Sequence, residues 1–281
     1  PDASDSTSIP DLMFAADGIR LDNGNFESGM PWAEGLDLDR TCDCAEPPSC
    51  RSTVDAGRPC EADGRDNATG PLLATLTSVV PALEPTFLKE RIHDGVYTLL
   101  ISLKDWNGTA NDPRVIFTFT MSVGTKKGPD GFLTPPKFDG EDVWDVDPGS
   151  ILNGETLVGQ DCQVVPCVGS TDLEAYVANN VLVAHVASVP IAISTPSGYL
   201  RMPFTGATVT AAIEKAGDSY RLAGEVTGRM PADQLLAAAG ALREPLTNRS
   251  LCSLPETLEL VKTSICSAVD LALTPAGDRT N

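Results

Sequence analysis

Histidine is almost missing from this chain: only His93 and His185 occur among 281 residues. Any catalysis that moves protons through an imidazole must draw on those two. His185 alternates with Val183 and Ala187 in an apolar run, which predicts a core histidine. His93, in IHDGV, falls where a helix should end, and an imidazolium there would favour the helix carboxyl terminus and neighbouring Asp94. Nucleophile elbows of the G-x-S-x-G type, H-E-x-x-H zinc motifs, phosphate-binding G-x-x-x-x-G-K-[ST] loops, dinucleotide G-x-G-x-x-G turns and C-x-x-C-H haem sites are all absent.

Positive charge is also scarce, with 20 Lys and Arg against 39 Asp and Glu, a net charge of -19. Nucleic-acid binding depends on basic side chains neutralising phosphates, so this balance excludes it. Anionic lipid surfaces are disfavoured by the same argument, while divalent cations, basic partners and neutral sugars stay open. No run of eighteen or more apolar residues occurs, so the sequence predicts no transmembrane segment.

Cysteine, by contrast, is plentiful, and the eight residues fall into even local groups: Cys42, Cys44, Cys50 and Cys60; Cys162 and Cys167; Cys252 and Cys266. Local pairing would join Cys162 to Cys167 and Cys252 to Cys266, leaving three connectivities among the first four. Zinc is the alternative for that first group, but C-x-C-x5-C-x9-C lacks paired C-x2-C knuckles. Disulfides persist outside the reducing cytosol, which predicts a secreted, periplasmic or outer-surface protein. The opening PDASDSTSIPD is too polar to order itself by burial and reads as a tether. It contains no leader pattern, and a lipid-modified cysteine upstream of Pro1 would explain such a spacer.

The composition predicts three regions: a tether and cysteine-rich loop over 1–60, a β core with preceding helices over 61–230, and a helical hairpin over 231–281. Pro71 opens one predicted helix carrying Leu72, Leu73, Leu76, Val79 and Val80, and a second runs from about Glu84 to Ile92, stopping at Gly95. Strands follow in VYTLLISLKDW and RVIFTFTMSV, where Val115, Phe117 and Phe119 alternate with Ile116, Thr118 and Thr120. Residues 126–160 read as a long Gly/Pro/Asp-rich excursion with short strands at most. Six strands are then expected over 172–228, separated by NN, SVP, PSG, TG and GD signals. Two helices close the chain, PADQLLAAAGALRE and PETLELVKTSICSAVDLAL, the second with Leu258, Val261, Ile265, Val269 and Ala272 on one side. The expected fold is mainly β: an antiparallel sandwich or jelly-roll-like core with a disulfide-pinned helical pair after it.

Carboxylates are the remaining chemical resource. FDGEDVWDVDPGS places Asp139, Glu141, Asp142, Asp145 and Asp147 around Trp144. A glycoside hydrolase needs two such acids beside an aromatic platform, which makes Glu141, Asp142 and Asp145 the catalytic candidates of an enzyme reading. Calcium takes several hard oxygens, so Asp139, Asp142, Asp145 and Asp147, with Asp63 and Asp66 of ADGRDNATG, are the candidate metal ligands. Trp106 and Asn107 in KDWNGTANDP, with Trp144, form the candidate ligand-binding set, because an aromatic ring stacks on a pyranose while an amide bonds its hydroxyls; the alternative for such a ring is a core tryptophan at a strand end.

The runs DGRDNATG, KDWNGTANDPRV, FDGEDVWDVDP and LCSLPETLELVKTSIC resemble a group of uncharacterised secreted or lipid-anchored envelope proteins of myxobacteria and their relatives. The resemblance implies an envelope or extracellular location and no activity. Taken together, the expectation is a non-catalytic surface or secreted module recognising carbohydrate, another envelope component or a protein. The alternatives are a carboxylate-dependent polysaccharide hydrolase and a subunit of an extracellular assembly, in which copies of the chain would associate.

Overall fold

A computed structural model describes residues 9–20, 72, 85–147, 150, 170–195, 198–243 and 249–267. The expectations for Cys42, Cys44, Cys50, Cys60, Cys162, Cys167, Asp63, Asp66 and the helix after Pro71 lie outside those residues. The chain is mainly antiparallel β, and the described strands join one eight-stranded sheet in the order β1-β2-β3-β5-β6-β7-β8, with β4 on the side of β3. The strands are β1 Leu12–Ala15, β2 Thr98–Lys104, β3 Asp112–Thr125, β4 Trp144–Val146, β5 Thr171–Ala178, β6 Val181–Thr195, β7 Gly198–Ala216 and β8 Ser219–Arg229.

Helix α1, Pro85–His93, lies between β1 and β2 in the chain and buries Leu88 and Ile92, one turn apart. It stops at Gly95, whose φ of +73° suits a residue without a side chain, and the Gly95 N–H donates to the Ile92 carbonyl. A Cβ at Gly95 would also stand 2.6 Å from Thr125 Oγ1, so the close approach of β3 reinforces the choice.

The hairpin β2–β3 carries the expected alternation. Val115, Phe117, Phe119 and Met121 are buried while Ile116, Thr118 and Thr120 are half-buried, and Ile101 stands opposite Phe119 in the ladder. Its turn is wired by Asp112, whose carboxylate accepts the Asn107 N–H at 2.8 Å and the Arg114 N–H at 3.1 Å.

Among the described residues, four strands, not six, occupy the region after 170. Asn179 and Asn180 form the β5–β6 turn with φ of +52° and +63°, as a two-residue type I′ loop requires, and Gly217 with φ +63° opens the loop into β8. SVP does not break the chain: β6 continues through Pro190. TG does not either, because Gly206 takes φ +55° within β7 and acts as an irregularity in a continuing strand. A proline or glycine ends a strand only if the backbone must turn there, and neighbouring strands decide that.

By its internal contacts the chain divides into two compact units. Among the described residues one holds 9–18, 90–147, 150, 170–192 and 203–228; the other holds 19–20, 72, 85–89, 193–195, 198–202, 229–243 and 249–267. In the first unit the sheet curls. Trp106, just past β2, meets Tyr220 at the start of β8 edge to face, with centroids 4.9 Å apart, although four strands separate β2 from β8 in the order. The turn of β5–β6 is bound into the same end: the Asn180 N–H donates to Ala110 O at 2.8 Å and its carbonyl accepts the Ile213 N–H at 2.7 Å.

The second unit contains α2, Ala232–Ala241 with Pro231 at its N-cap, a 3-10 turn at Leu251–Ser253, and α3, Pro255–Ser267. Leu235, Ala239, Leu242, Leu251, Val261 and Ile265 are the buried apolar residues of this helical part. A Cβ at Gly240 would stand 2.7 Å from Cys252 Sγ, so a larger residue there would displace that side chain. The expected Cys252–Cys266 bridge is not formed: both thiols are free and exposed. Cys266 stands eleven residues beyond Pro255 within the same helix, about 16 Å along the axis at roughly 1.5 Å per residue. Three residues back from Pro255 reach about 10 Å at most when extended, and here they include a 3-10 turn. Even if fully extended and folded straight back along the helix, that stretch would leave the two Cα atoms about 6 Å apart, near the upper end of the roughly 4.4–6.8 Å a disulfide spans, and the 3-10 turn shortens its reach. No helix among the described residues is long and apolar enough to cross a membrane.

Candidate functional site

The three residues expected to form a ligand face stand at opposite ends of β3. Trp106 and Asn107 lie at the turn beside Asp112, whereas Trp144 pairs with Thr125. Fourteen residues of strand separate the two places, on the order of 40 Å at about 3.3 Å per residue. Trp106 is not an exposed platform: it is 2 % exposed, its Nε1–H donates to Thr109 O at 3.1 Å, and its ring packs on Tyr220. The side chain of Asn107 is committed to its own turn, with Oδ1 accepting the Thr109 N–H and hydroxyl and Nδ2 donating to Asn111 O. This end is a closed knot of turns.

The opposite end, where α1 finishes and the 126–147 excursion returns, is different. Trp144 stands there with two residues the sequence did not single out as partners, Phe138 and His93. The His93 and Phe138 centroids are 5.3 Å apart at 47°, and those of Phe138 and Trp144 are 6.2 Å apart at 41°. His93 is exposed and both other rings are half-buried, so the three make a faceted aromatic strip that reaches solvent. The expected helix-end position of His93 is realised, and its Nε2 lies 3.0 Å from the Asp17 carbonyl. Phe138 is held in a left-handed conformation, φ +55°, because its N–H donates to Asp142 Oδ2 at 2.6 Å. The Trp144 Nε1–H is buried without a hydrogen-bond partner among the described residues, a cost on the order of 1–3 kcal/mol that calls for an explanation. Tyr97, fully buried four residues after His93, also has a hydroxyl without a partner among the described residues. Burial drives its ionisation well above the ordinary phenol range, and the charge of Arg91 opposes that shift.

The acidic loop is mostly structural. Asp142 accepts from the Lys137 N–H at 3.0 and 3.1 Å as well as from Phe138, so both carboxylate oxygens fold the loop that presents the strip. Asp139 accepts the Glu141 N–H at 3.1 Å in a local turn. Glu141 and Asp145 are exposed, and the Asp145 carbonyl accepts the Ser122 hydroxyl. Asp147 is buried, its N–H donating to Met121 O. Among the described residues no three His, Cys, Asp or Glu side chains come together as a metal set. The catalytic candidates Glu141, Asp142 and Asp145 thus lose one member, Asp142, to backbone amides.

His185 is not a core residue. It is exposed, with Nδ1 3.1 Å from Thr208 Oγ1, and its backbone N–H donates to Asp172 Oδ2 at 2.7 Å. Leu182, Ala184 and Val186 point inward instead. Phe138 and His93 are 45 positions apart, so no local pattern joins them; the aromatic content of KFDGEDVW was the available signal. No family model, curated protein or solved structure matches this chain.

Proposed function

We propose that this chain is a non-catalytic secreted or cell-surface module that recognises neutral carbohydrate of an envelope or matrix on the His93–Phe138–Trp144 strip. The observation that carries the reading is the strip itself: three aromatic rings in succession, reaching solvent, beside carboxylates and backbone amides. Aromatic faces stack on the C–H faces of sugars, and a net charge of -19 favours uncharged ligands over polyanions. The engagement of Asp142 by two backbone amides supports binding over hydrolysis, because that carboxylate is occupied in holding Phe138. In the same reading the curled sheet is the sandwich-like core, with the Trp106–Tyr220 contact in support.

The test is a glycan array probed with the full chain, followed by titration of each hit against Trp144→Ala and Phe138→Ala. Binding should fall at least about tenfold in either variant, the loss of one buried aromatic face. Arrays without a hit, or a Trp144→Ala protein that keeps its affinity, refute the reading.

A further inference from the structure

Phe132 is the most exposed large apolar side chain among the described residues, 74 % accessible, and it stands on a rigid finger rather than a loose loop. Lys127 and Leu133 form a β-bridge, the Gly128 N–H donates to Phe132 O at 2.8 Å, and the Gly131 N–H returns to Gly128 O at 3.0 Å. Pro129 and Asp130 sit at the tip, Asp130 Oδ1 accepts the Phe132 N–H, and Gly131 takes φ +81°. At the base, Thr125 Oγ1 donates to Thr134 O at 2.7 Å and the Lys126 N–H donates to Val143 O at 2.9 Å. Val143, 59 % exposed, therefore lies against the finger and next to Trp144.

The charge of this finger runs against that of the chain. KKGPDGFLTPPKF, residues 126–138, carries Lys126, Lys127 and Lys137 against Asp130 alone, in a protein with a net charge of -19. All three lysines are exposed. Asp130, the finger's one carboxylate, and Asp139 and Asp142 beyond its base are turned onto the backbone amides of Phe132, Glu141, Lys137 and Phe138, whereas Glu141 and Asp145 near the base are exposed. Screening over roughly 8 Å at physiological salt leaves the finger's own ammonium groups to govern a contact at its tip. A pre-formed turn with an aromatic wedge, flanked by lysines and prolines, has the chemistry of a membrane interface: the ring enters the boundary of headgroups and acyl chains while ammonium groups meet lipid phosphates.

We propose that the Lys126–Thr134 finger docks this protein on an anionic lipid surface through Phe132, Lys126 and Lys127. The net-charge argument against anionic lipid then fails locally, and the aromatic strip would be carried close to that surface.

The experiment is co-sedimentation of the full chain with sugar-free vesicles of phosphatidylcholine and phosphatidylglycerol, and with phosphatidylcholine vesicles alone. The wild type should partition onto the mixed vesicles and be released by salt. Phe132→Ser should weaken that binding by about tenfold or more, and Lys126→Gln with Lys127→Gln by roughly fivefold per lysine. Unchanged melting temperature in both variants shows that the fold is intact, as expected for exposed positions. Absence of wild-type binding, equal binding to the two vesicle types, or a Phe132→Ser protein that binds like wild type each overturns the proposal. Because the vesicles carry no sugar, the result is independent of the carbohydrate reading.

Discussion

Replacing Trp106 by alanine tests whether the first unit depends on the closure of its sheet. The side chain is 2 % exposed, touches Tyr220 across the curl at 4.9 Å, and satisfies its indole N–H on Thr109 O. Truncating a core tryptophan costs about 3–5 kcal/mol, lost burial and residual cavity together. Set against the 5–15 kcal/mol that holds a typical domain, roughly a third or more of the total stability is at stake. A urea titration followed by far-ultraviolet circular dichroism should show that loss, and the melting temperature should fall by roughly 10 °C at about 2–4 °C per kcal/mol. Pairing the substitution with Tyr220→Leu in a double-mutant cycle should give a coupling of about 0.5–1.5 kcal/mol, the worth of an edge-to-face pair. A loss under about 1 kcal/mol together with zero coupling would refute the argument. It would restore Trp106 as a surface residue free to stack on a ligand.

Two further substitutions probe the interior. Tyr97→Phe removes a buried hydroxyl without a partner among the described residues and should stabilise the protein by about 1 kcal/mol at neutral pH. The folded state holds the Tyr97 proton more tightly than the unfolded chain, so wild-type stability should decline as pH rises through about 10, where unfolded tyrosine ionises. Thermal melts from pH 7 to 11 should show a shallower alkaline decline for Tyr97→Phe, and equal slopes would contradict the assignment. Gly224→Ala would place a Cβ on the Thr210 carbonyl oxygen and the Ala211 Cα, both backbone and unable to swing away. It should cost about 3 kcal/mol or more in a chemical melt, while Gly18→Ala, which meets nothing within 4 Å, should be close to neutral. Equal melts for the two would sink the close β7–β8 approach.

What could be read locally was read well where side chains differ between faces. The strand β3 alternates Val115, Phe117 and Phe119 with two threonines and Ile116, a contrast that fixes which face is buried. In β6 both faces are apolar, Val181 and Val183 on one and Leu182, Ala184 and Val186 on the other, so nothing in the string says which turns inward. The alternation alone therefore predicts His185 in the core, whereas it lies outside. Trp106 was open to two readings for a related reason: one bulky ring at a strand end serves equally as core or platform until its neighbours are known.

The amino-acid order by itself determined the β character, the α1 stop at Gly95, the Asn179–Asn180 turn, the acidic field and the finger's local excess of lysine. These depend on backbone preference, short-range periodicity and summed charge, all of which act within a few residues. Only the tertiary structure decided that SVP and TG run on as strand, that Cys252 and Cys266 are free thiols, and that His93, Phe138 and Trp144 meet at one end while Trp106 is sealed at the other. Those outcomes turn on contacts between residues tens of positions apart, whose energies come from burial and packing that no local stretch of chain contains.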